Sequence, residues 1–122
     1  MIVGYETAKQ LAKPSIFCER VNGVFELRRG FTLEAGQKVL VIEDVVTTGK
    51  SSFETINLIE SFGAKVIAEG ALINRSGQKN PLGEIPLITL EELNIKTFEA
   101  SNVPSELQNI QAIKPGSRWI SK

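Results

Sequence analysis

An apolar run that ends in two acidic residues constrains this chain of 122 residues more than any other feature. Residues 39–42 are all aliphatic, and Glu43 and Asp44 follow them directly. Such an unbroken run suits a parallel strand that is covered on both faces. Small and hydroxyl residues follow, and they lead into a helical pattern over residues 52–62, which Gly63 is expected to end. The segment therefore predicts a buried strand, a sharp turn and a helix.

The predicted turn has the composition of a phosphate-binding site. The first N–H groups of a helix lack partners within the helix, and they carry the positive end of its dipole. Gly49 permits a positive φ, and neighbouring hydroxyl groups add donors. Two carboxylates would disfavour a lone phosphate, but they can accept hydrogen bonds from the vicinal hydroxyl groups of a ribose. The expected phosphoribosyl site consists of Glu43, Asp44, Val45, Val46, Thr47, Thr48, Gly49, Lys50 and Ser51.

Two other interpretations of this segment have to be weighed. One is an ordinary capped helix after a buried strand, with both acids solvated. The other is a nucleoside-triphosphate P-loop, which the triplet Gly49-Lys50-Ser51 resembles. A P-loop needs a glycine five residues before Gly49, where Asp44 stands, so we set that interpretation aside.

The remaining patterns predict short elements around this centre. Ile2 and Val3 are expected to end a strand, and residues 5–11 to form a helix. The patterns further predict strands at 15–20, 24–27, 38–42, 65–73 and 96–99, a turn at Asn22-Gly23, a helical turn at 90–93 and a short helix at 104–111. The strand–helix–strand succession over 38–73 predicts a right-handed crossover between parallel strands. The helix core stripe is expected to be Phe53, Ile56, Ile59 and Phe62.

Composition narrows the classes of partner. Fourteen basic residues balance fourteen acidic ones, so no global field attracts nucleic acid or an anionic membrane. No stretch approaches the roughly 20 apolar residues of a membrane span. Histidine is absent, which excludes histidine-based catalysis and histidine metal sites. Cys18 is the single cysteine, so no internal disulfide can form, and a cytoplasmic protein is expected.

The central segment resembles the phosphoribosyl diphosphate signature of the type I phosphoribosyltransferases. Further stretches resemble the orotate branch of that family in the order in which they occur. These are Val3 to Leu11, Glu19-Arg20, Leu27-Arg28-Arg29-Gly30-Phe31, Asn74-Arg75 and Lys114-Pro115-Gly116-Ser117-Arg118. The resemblance covers essentially the whole chain, residues 1–122. It implies an α/β fold, a Rossmann-like core with a parallel sheet, as one phosphoribosyltransferase domain.

The resemblance also implies an activity. Orotate phosphoribosyltransferases join orotate to the ribose of phosphoribosyl diphosphate and release diphosphate, with Mg²⁺ bound mainly through that diphosphate. The products are orotidine 5′-monophosphate and diphosphate, in pyrimidine synthesis. Carried over by position, Glu43 and Asp44 become the catalytic carboxylates and residues 43–51 bind the phosphoribosyl group. Thr47 and Arg75 would contact orotate, and Arg20 and Arg28 the diphosphate; a homodimer is implied, with a loop that reaches the neighbouring site.

The sequence departs from the family pattern in two places. The segment over residues 19–36 contains neither lysine nor histidine, although relatives usually carry lysines in the loop that covers the diphosphate. The N-terminal hood, an early strand and a diphosphate loop of full-length relatives would all precede Met1. We therefore expect an N-terminally truncated core. A non-catalytic phosphoribosyl-binding module is the alternative; a purine enzyme is disfavoured because Asn74-Arg75-Ser76 stands where an aromatic stacking residue is expected.

Overall fold

The structure is a computed structural model, and it describes residues 2–96, 98–111 and 113. Its described elements are three α-helices, five strands and one 3₁₀ turn. The elements are α1 (Ile2–Gln10), β1 (Cys18–Val21), β2 (Val24–Leu27), β3 (Lys38–Val46), α2 (Lys50–Ser61), β4 (Lys65–Asn74), β5 (Leu87–Glu92), a 3₁₀ turn (Ala100–Asn102) and α3 (Ser105–Gln108). None of the described helices is both long and apolar enough to cross a membrane.

A three-stranded parallel sheet forms the centre of the fold, with strand order β3-β4-β5. The prediction of parallel strands joined through α2 is confirmed. In the register of the sheet, Val46 at the end of β3 pairs with Asn74 at the end of β4, and Asn74 pairs with Glu92 on β5. Since the carboxyl ends of all three strands meet at one edge, the loops that follow β3 and β4 are neighbours.

The hydrophobic core lies between α2 and the sheet. Ile56 and Ile59 are 3% and 6% exposed, and they pack with Val41, Ala64 and Val66. The predicted stripe was therefore half right, because Phe53 and Phe62 are 42% and 41% exposed. The third buried position of the helix is Ser52, which precedes Ile56 by four residues and so shares its face. Gly63, with φ of +78°, ends the helix as predicted.

A β-hairpin, β1 with β2, packs beside α2. Asn22 and Gly23 both have positive φ, which is the geometry that a two-residue hairpin turn needs, so the predicted turn is confirmed. Arg20 donates to Glu54 on α2 at 2.5 Å and lies over the ring of Phe25 at 4.1 Å. Half-buried Cys18 has its Sγ 3.9 Å from the Thr55 hydroxyl. The hairpin is thus attached to the helix that follows the predicted phosphate turn.

Several predicted bounds were wrong. Ile2 and Val3 begin α1 rather than end a strand, and the Thr7 hydroxyl donates to the Val3 carbonyl within that helix. Helix α1 lies over β3, where Ile42 comes close to Gly4. Residues 90–93 do not form a helical turn, because β5 continues through Glu92.

The C-terminal predictions fare unevenly. Lys96, Phe98 and Glu99 lie outside any strand, so the strand expected at 96–99 is not present in its described residues. The helix expected at 104–111 is limited to Ser105–Gln108. Thr97 and the tail motif that starts at Lys114 lie outside the described residues.

Candidate functional site

A cavity of about 220 Å³ lies at the carboxyl end of β3. The residues that line it are Glu43, Asp44, Val45, Val46, Thr47, Thr48, Gly49, Lys50, Ser51 and Ser52. The structure thus gathers all nine residues of the predicted phosphoribosyl segment around one cavity, and it adds Ser52. Strand β3 extends through Val46, four residues beyond the predicted strand, so both acids belong to the strand rather than to the turn.

The turn has the backbone geometry of an anion site. Gly49 is the N-cap of α2 and has φ of +76°, in the left-handed region. The first helical hydrogen bond runs from the Phe53 N–H to the Gly49 carbonyl at 2.9 Å. Within the part of the chain that the structure describes, the N–H groups of Thr48, Gly49, Ser51 and Ser52 have no acceptor. Free amides at the start of a twelve-residue helix can converge on a phosphate.

Both the positive φ at position 49 and the lack of space around it favour glycine over any residue with a side chain. A Cβ atom at this position would lie 3.2 Å from Cδ2 of Leu82 and 3.7 Å from the ring of Phe53. Leu82 is only 2% exposed, so it has little room to retreat. The loop after β4 therefore packs against the predicted phosphate turn and holds its shape.

The two acids of the cavity lie in different environments. Asp44 is exposed, and its Oδ1 accepts the Val45 N–H at 2.7 Å. Glu43 is half-buried, and its Oε1 accepts the Asp44 N–H at 3.1 Å. Burial raises the pKa of the Glu43 carboxyl; the hydrogen bond from the Asp44 backbone lowers it, and the nearby Asp44 carboxylate adds to the increase. The carboxylates can accept hydrogen bonds from a diol, and Asp44 is the better solvated of the two.

A second and larger cavity, of about 380 Å³, adjoins the first and shares Thr47 and Thr48 with it. Its other lining residues are Arg75, Ser76, Gly77, Gln78, Pro81, Asn94 and Ile95. The backbone N–H of Arg75 donates to the Val46 carbonyl at 2.7 Å, which ties the β4 loop to the end of β3. The buried Nε of Arg75 has no acceptor among the described residues. A buried unpaired donor beside a cavity is suited to a polar ligand.

Buried Asn74 shapes the loop that carries Arg75. Its Nδ2 donates to the Gln78 carbonyl at 2.7 Å, and its Oδ1 accepts from the Ser76 hydroxyl at 2.7 Å. The Ser76 N–H also donates to Oδ1, at 2.9 Å. These three bonds hold the backbone on both sides of Arg75, so the backbone position from which its side chain extends is fixed.

Of the two arginines assigned to diphosphate, Arg20 lies on the hairpin and Arg28 directly follows it, and neither lines either cavity. Arg20 is held by Glu54 and by the Gly23 carbonyl, each at 2.5 Å. Arg28 is exposed, with its Nη1 3.8 Å from a Glu19 oxygen. Arg28 thus has the freer guanidinium, and the diphosphate role of both residues stays a prediction.

Sequence reasoning missed the residues beneath the phosphate turn and those at the far side of the larger cavity. Ser52 and Glu69 form a buried hydrogen-bonded pair under the first turn of α2. One signal was available: Glu69 interrupts the otherwise apolar run over residues 66–73, which is an unusual place for a charge. Asn94 and Ile95 offered no signal, because only the course of the chain after β5 brings them to the cavity.

Comparison with known proteins gives a consistent result. The family model described as the phosphoribosyl transferase domain matches residues 3–109. A protein named orotate phosphoribosyltransferase from Sphingopyxis alaskensis is 47% identical over 121 residues, which are 99% of this chain and 62% of that protein. The chain therefore spans less than two thirds of the length of this curated relative.

Solved structures show the same architecture. The crystal structure of orotate phosphoribosyltransferase from Aeropyrum pernix has a TM-score of 0.53 and 26% identity, covering 72% of this chain and 50% of that one. Adenine phosphoribosyltransferase from Leishmania tarentolae has a TM-score of 0.61 at 16% identity, covering 75% of this chain and 56% of that one. Because the second structure is only 16% identical in sequence, its likeness to this chain establishes the fold alone.

Proposed function

The chain belongs to the phosphoribosyltransferase family, and from this premise we propose that it carries the core of an orotate phosphoribosyltransferase. The reaction joins N1 of orotate to C1 of the ribose of phosphoribosyl diphosphate, breaks the bond from C1 to diphosphate and yields orotidine 5′-monophosphate. One observation carries the proposal. A cavity with helix amides that lack acceptors adjoins a cavity with a buried arginine nitrogen that also lacks one, both counted among the described residues, and Thr47 and Thr48 line both cavities.

Each cavity suits one half of the product. The amides around Gly49 receive the 5′-phosphate, and Asp44 with Glu43 accepts the ribose hydroxyls. The planar fork of Arg75 matches the carboxylate or a carbonyl of orotate, and Thr47 lies between the two sites. The reacting C1 and N1 atoms then meet beside the shared threonines.

Catalysis by these residues rests on position and charge. Breaking the bond at C1 before the new bond is complete leaves positive charge on the ribose, and the nearby carboxylates of Glu43 and Asp44 stabilise that charge. Holding both substrates in adjoining cavities turns a bimolecular step into an effectively unimolecular one. No covalent nucleophile is required.

Mg²⁺ is the expected cofactor. Among the described residues no group of three or more histidine, cysteine, aspartate or glutamate residues could hold a metal by itself. The oxygens present suit an ion that takes most of its ligands from diphosphate and water, as Mg²⁺ commonly does. When bound, Mg²⁺ neutralises charge on the leaving diphosphate. Glu43 and Asp44 are the carboxylates on this chain that would lie nearest to the complex.

We also propose that the chain forms a cytoplasmic homodimer, as the family resemblance implies. A loop that reaches the partner's site would then bring Arg28 or Arg20 to a diphosphate. Retention of Arg75 favours an enzyme over a non-catalytic binding module, because a module that senses only ribose phosphate has no use for a base contact.

Titration of the chain with phosphoribosyl diphosphate and Mg²⁺, followed by an assay of orotate consumption, tests the function. Binding with turnover supports the transferase, and binding without turnover supports the module. Adenine in place of orotate is the matched control substrate. Turnover of adenine but not of orotate would contradict the proposal.

Asp44→Asn is expected to weaken ribose 5-phosphate binding roughly tenfold, since hydrogen bonds to a charged group are worth about 1.5–3 kcal/mol and asparagine keeps one acceptor. Isothermal titration calorimetry measures the affinity. Glu26→Gln, an exposed hairpin residue, is the control and should leave it unchanged. Unchanged affinity in Asp44→Asn would remove Asp44 from the diol site.

A further inference from the structure

Glu69 is a fully buried carboxyl in the middle strand of the sheet, with 0% of its surface exposed. It pairs in register with Val41 on β3 and with Leu87 on β5, so strands flank it on both sides. Helix α2 covers its face of the sheet, because Ser52 on that helix reaches its side chain. A glutamate in such a place is rare unless it is paired.

One hydrogen bond connects Glu69 to the phosphate cavity. The Ser52 hydroxyl donates to Oε1 of Glu69 at 2.7 Å, and both residues are buried. Ser52 also lines the cavity, and its N–H is one of the amides without an acceptor in the described chain. It is the third residue of α2, so its position sets the direction of the helix's first turn. Glu69 therefore lies directly behind Ser52, a residue that lines the candidate anion site, and supports it by a hydrogen bond.

The surroundings of Glu69 favour its neutral form. Its second oxygen, Oε2, has no hydrogen-bond partner within the described residues, and no described cation pairs with it. On β3, Glu43 is the charged group whose field acts on Glu69; α2 contributes the Ser52 hydroxyl, and β5 contributes Leu87. Burial raises the pKa of the Glu69 carboxyl, the Ser52 hydrogen bond opposes this increase, and the Glu43 carboxylate adds to it.

We propose that Glu69 is a positioning residue of the phosphate-binding turn: while neutral it holds Ser52 and the first turn of α2 in place, and when ionised it opposes anion binding. This inference rests on the phosphoribosyl site of the proposed function. It extends that function by making phosphate affinity depend on the protonation of a residue that does not touch the ligand.

The direction of the effect follows from charge. Ser52 would lie between a phosphate at the turn and the buried Glu69 carboxyl, which has no counter-ion among the described residues, so an ionised Glu69 repels the phosphate with little solvent screening. The phosphate affinity that depends on neutral Glu69 is present at low pH, and it is lost as the pH rises through the elevated pKa of the Glu69 carboxyl. By linkage, a bound phosphate raises the pKa of Glu69 further.

The test compares ribose 5-phosphate affinity of the wild-type chain and Glu69→Gln by calorimetry between about pH 5 and about pH 9. Glutamine keeps the acceptor for Ser52 but stays neutral. The two affinities should agree at the acid end, and the variant should bind roughly tenfold tighter at the alkaline end. Titration of the phosphate itself contributes to both profiles, and the Glu69→Gln profile shows this contribution without a titrating residue 69.

Two further variants separate position from charge. Glu60→Gln, on the exposed side of the same helix, should follow the wild-type profile throughout. Ser52→Ala should weaken binding several-fold at the acid end, where Glu69 is already neutral. A ratio between Glu69→Gln and wild type that is constant with pH would overturn the inference, and so would unchanged binding in Ser52→Ala.

A measurement without substitution covers the case in which a variant does not fold. Carbon-detected NMR of the side-chain carboxyl groups follows the titration of Glu69 in the wild-type chain. Titration above the range of the exposed glutamates, with a further increase when ribose 5-phosphate is added, supports the inference. A Glu69 that titrates with the exposed glutamates, or that ignores the ligand, overturns it.

Failure of the proposed reaction is distinguishable from failure of this inference. Orotate is absent from these measurements. If the chain binds ribose 5-phosphate but does not turn over orotate, the proposed transferase function is contradicted, and the pH profiles still decide the role of Glu69. A wild-type chain that does not bind ribose 5-phosphate would overturn both.

Discussion

Arg75→Ala is expected to lower kcat/KM for orotate by roughly 100-fold to 1000-fold, since a bidentate charged contact is worth about 3–4 kcal/mol. The larger cavity would lose the guanidinium whose Nε is buried without an acceptor among the described residues. The backbone bond from residue 75 to the Val46 carbonyl does not involve the side chain, so the loop should keep its course. Steady-state kinetics with varied orotate measures the effect.

Two comparisons make the Arg75 experiment specific. Arg75→Lys keeps the charge but not the planar fork, so it should recover only part of the activity. Ribose 5-phosphate affinity should be unchanged in Arg75→Ala, because the phosphate turn lines the other cavity. An equal loss of orotate turnover and ribose 5-phosphate binding would mean that the substitution damages the fold rather than a base contact.

Gly49→Ala is expected to reduce ribose 5-phosphate affinity by roughly 10-fold to 100-fold and the free energy of unfolding by about 1–2 kcal/mol. The left-handed φ of +76° is costly for alanine, and the new Cβ would lie 3.2 Å from buried Leu82. Either the turn or the β4 loop must shift, and the free amides then no longer converge. Calorimetry and urea unfolding measure the two quantities.

Gly36→Ala is the matched control for this substitution. Gly36 has φ of +78°, but nothing lies within 4 Å of its added Cβ, and it lines neither cavity. It should therefore show a similar loss of stability and no loss of affinity. If both variants lose affinity equally, the effect of Gly49 reflects stability and not the shape of the phosphate site.

The local pattern around β3 was sufficient to predict a strand, a turn and a helix in this order. An aliphatic run, two acids, a glycine before a helix and a second glycine after it each act over a few residues, and each appears at or near its predicted place. The chain segment is continuous, so all nine predicted residues line one cavity without help from distant parts of the molecule. The misassigned start at Ile2 and the turn expected at 90–93 show the limit of such patterns, since short apolar runs fit a helix and a strand alike.

Local pattern and family resemblance thus sufficed for the strand, the turn and the parallel crossover, whereas the orotate contact of Arg75 stays a prediction. Only the tertiary structure could place Arg75 beside Thr47, through the register that pairs Val46 with Asn74. Only packing could bury Glu69 behind Ser52, seventeen residues earlier in the chain. The reason is that backbone angles and periodicity depend on neighbours along the sequence, whereas desolvation and hydrogen bonding between strands depend on which distant residues the fold brings into contact.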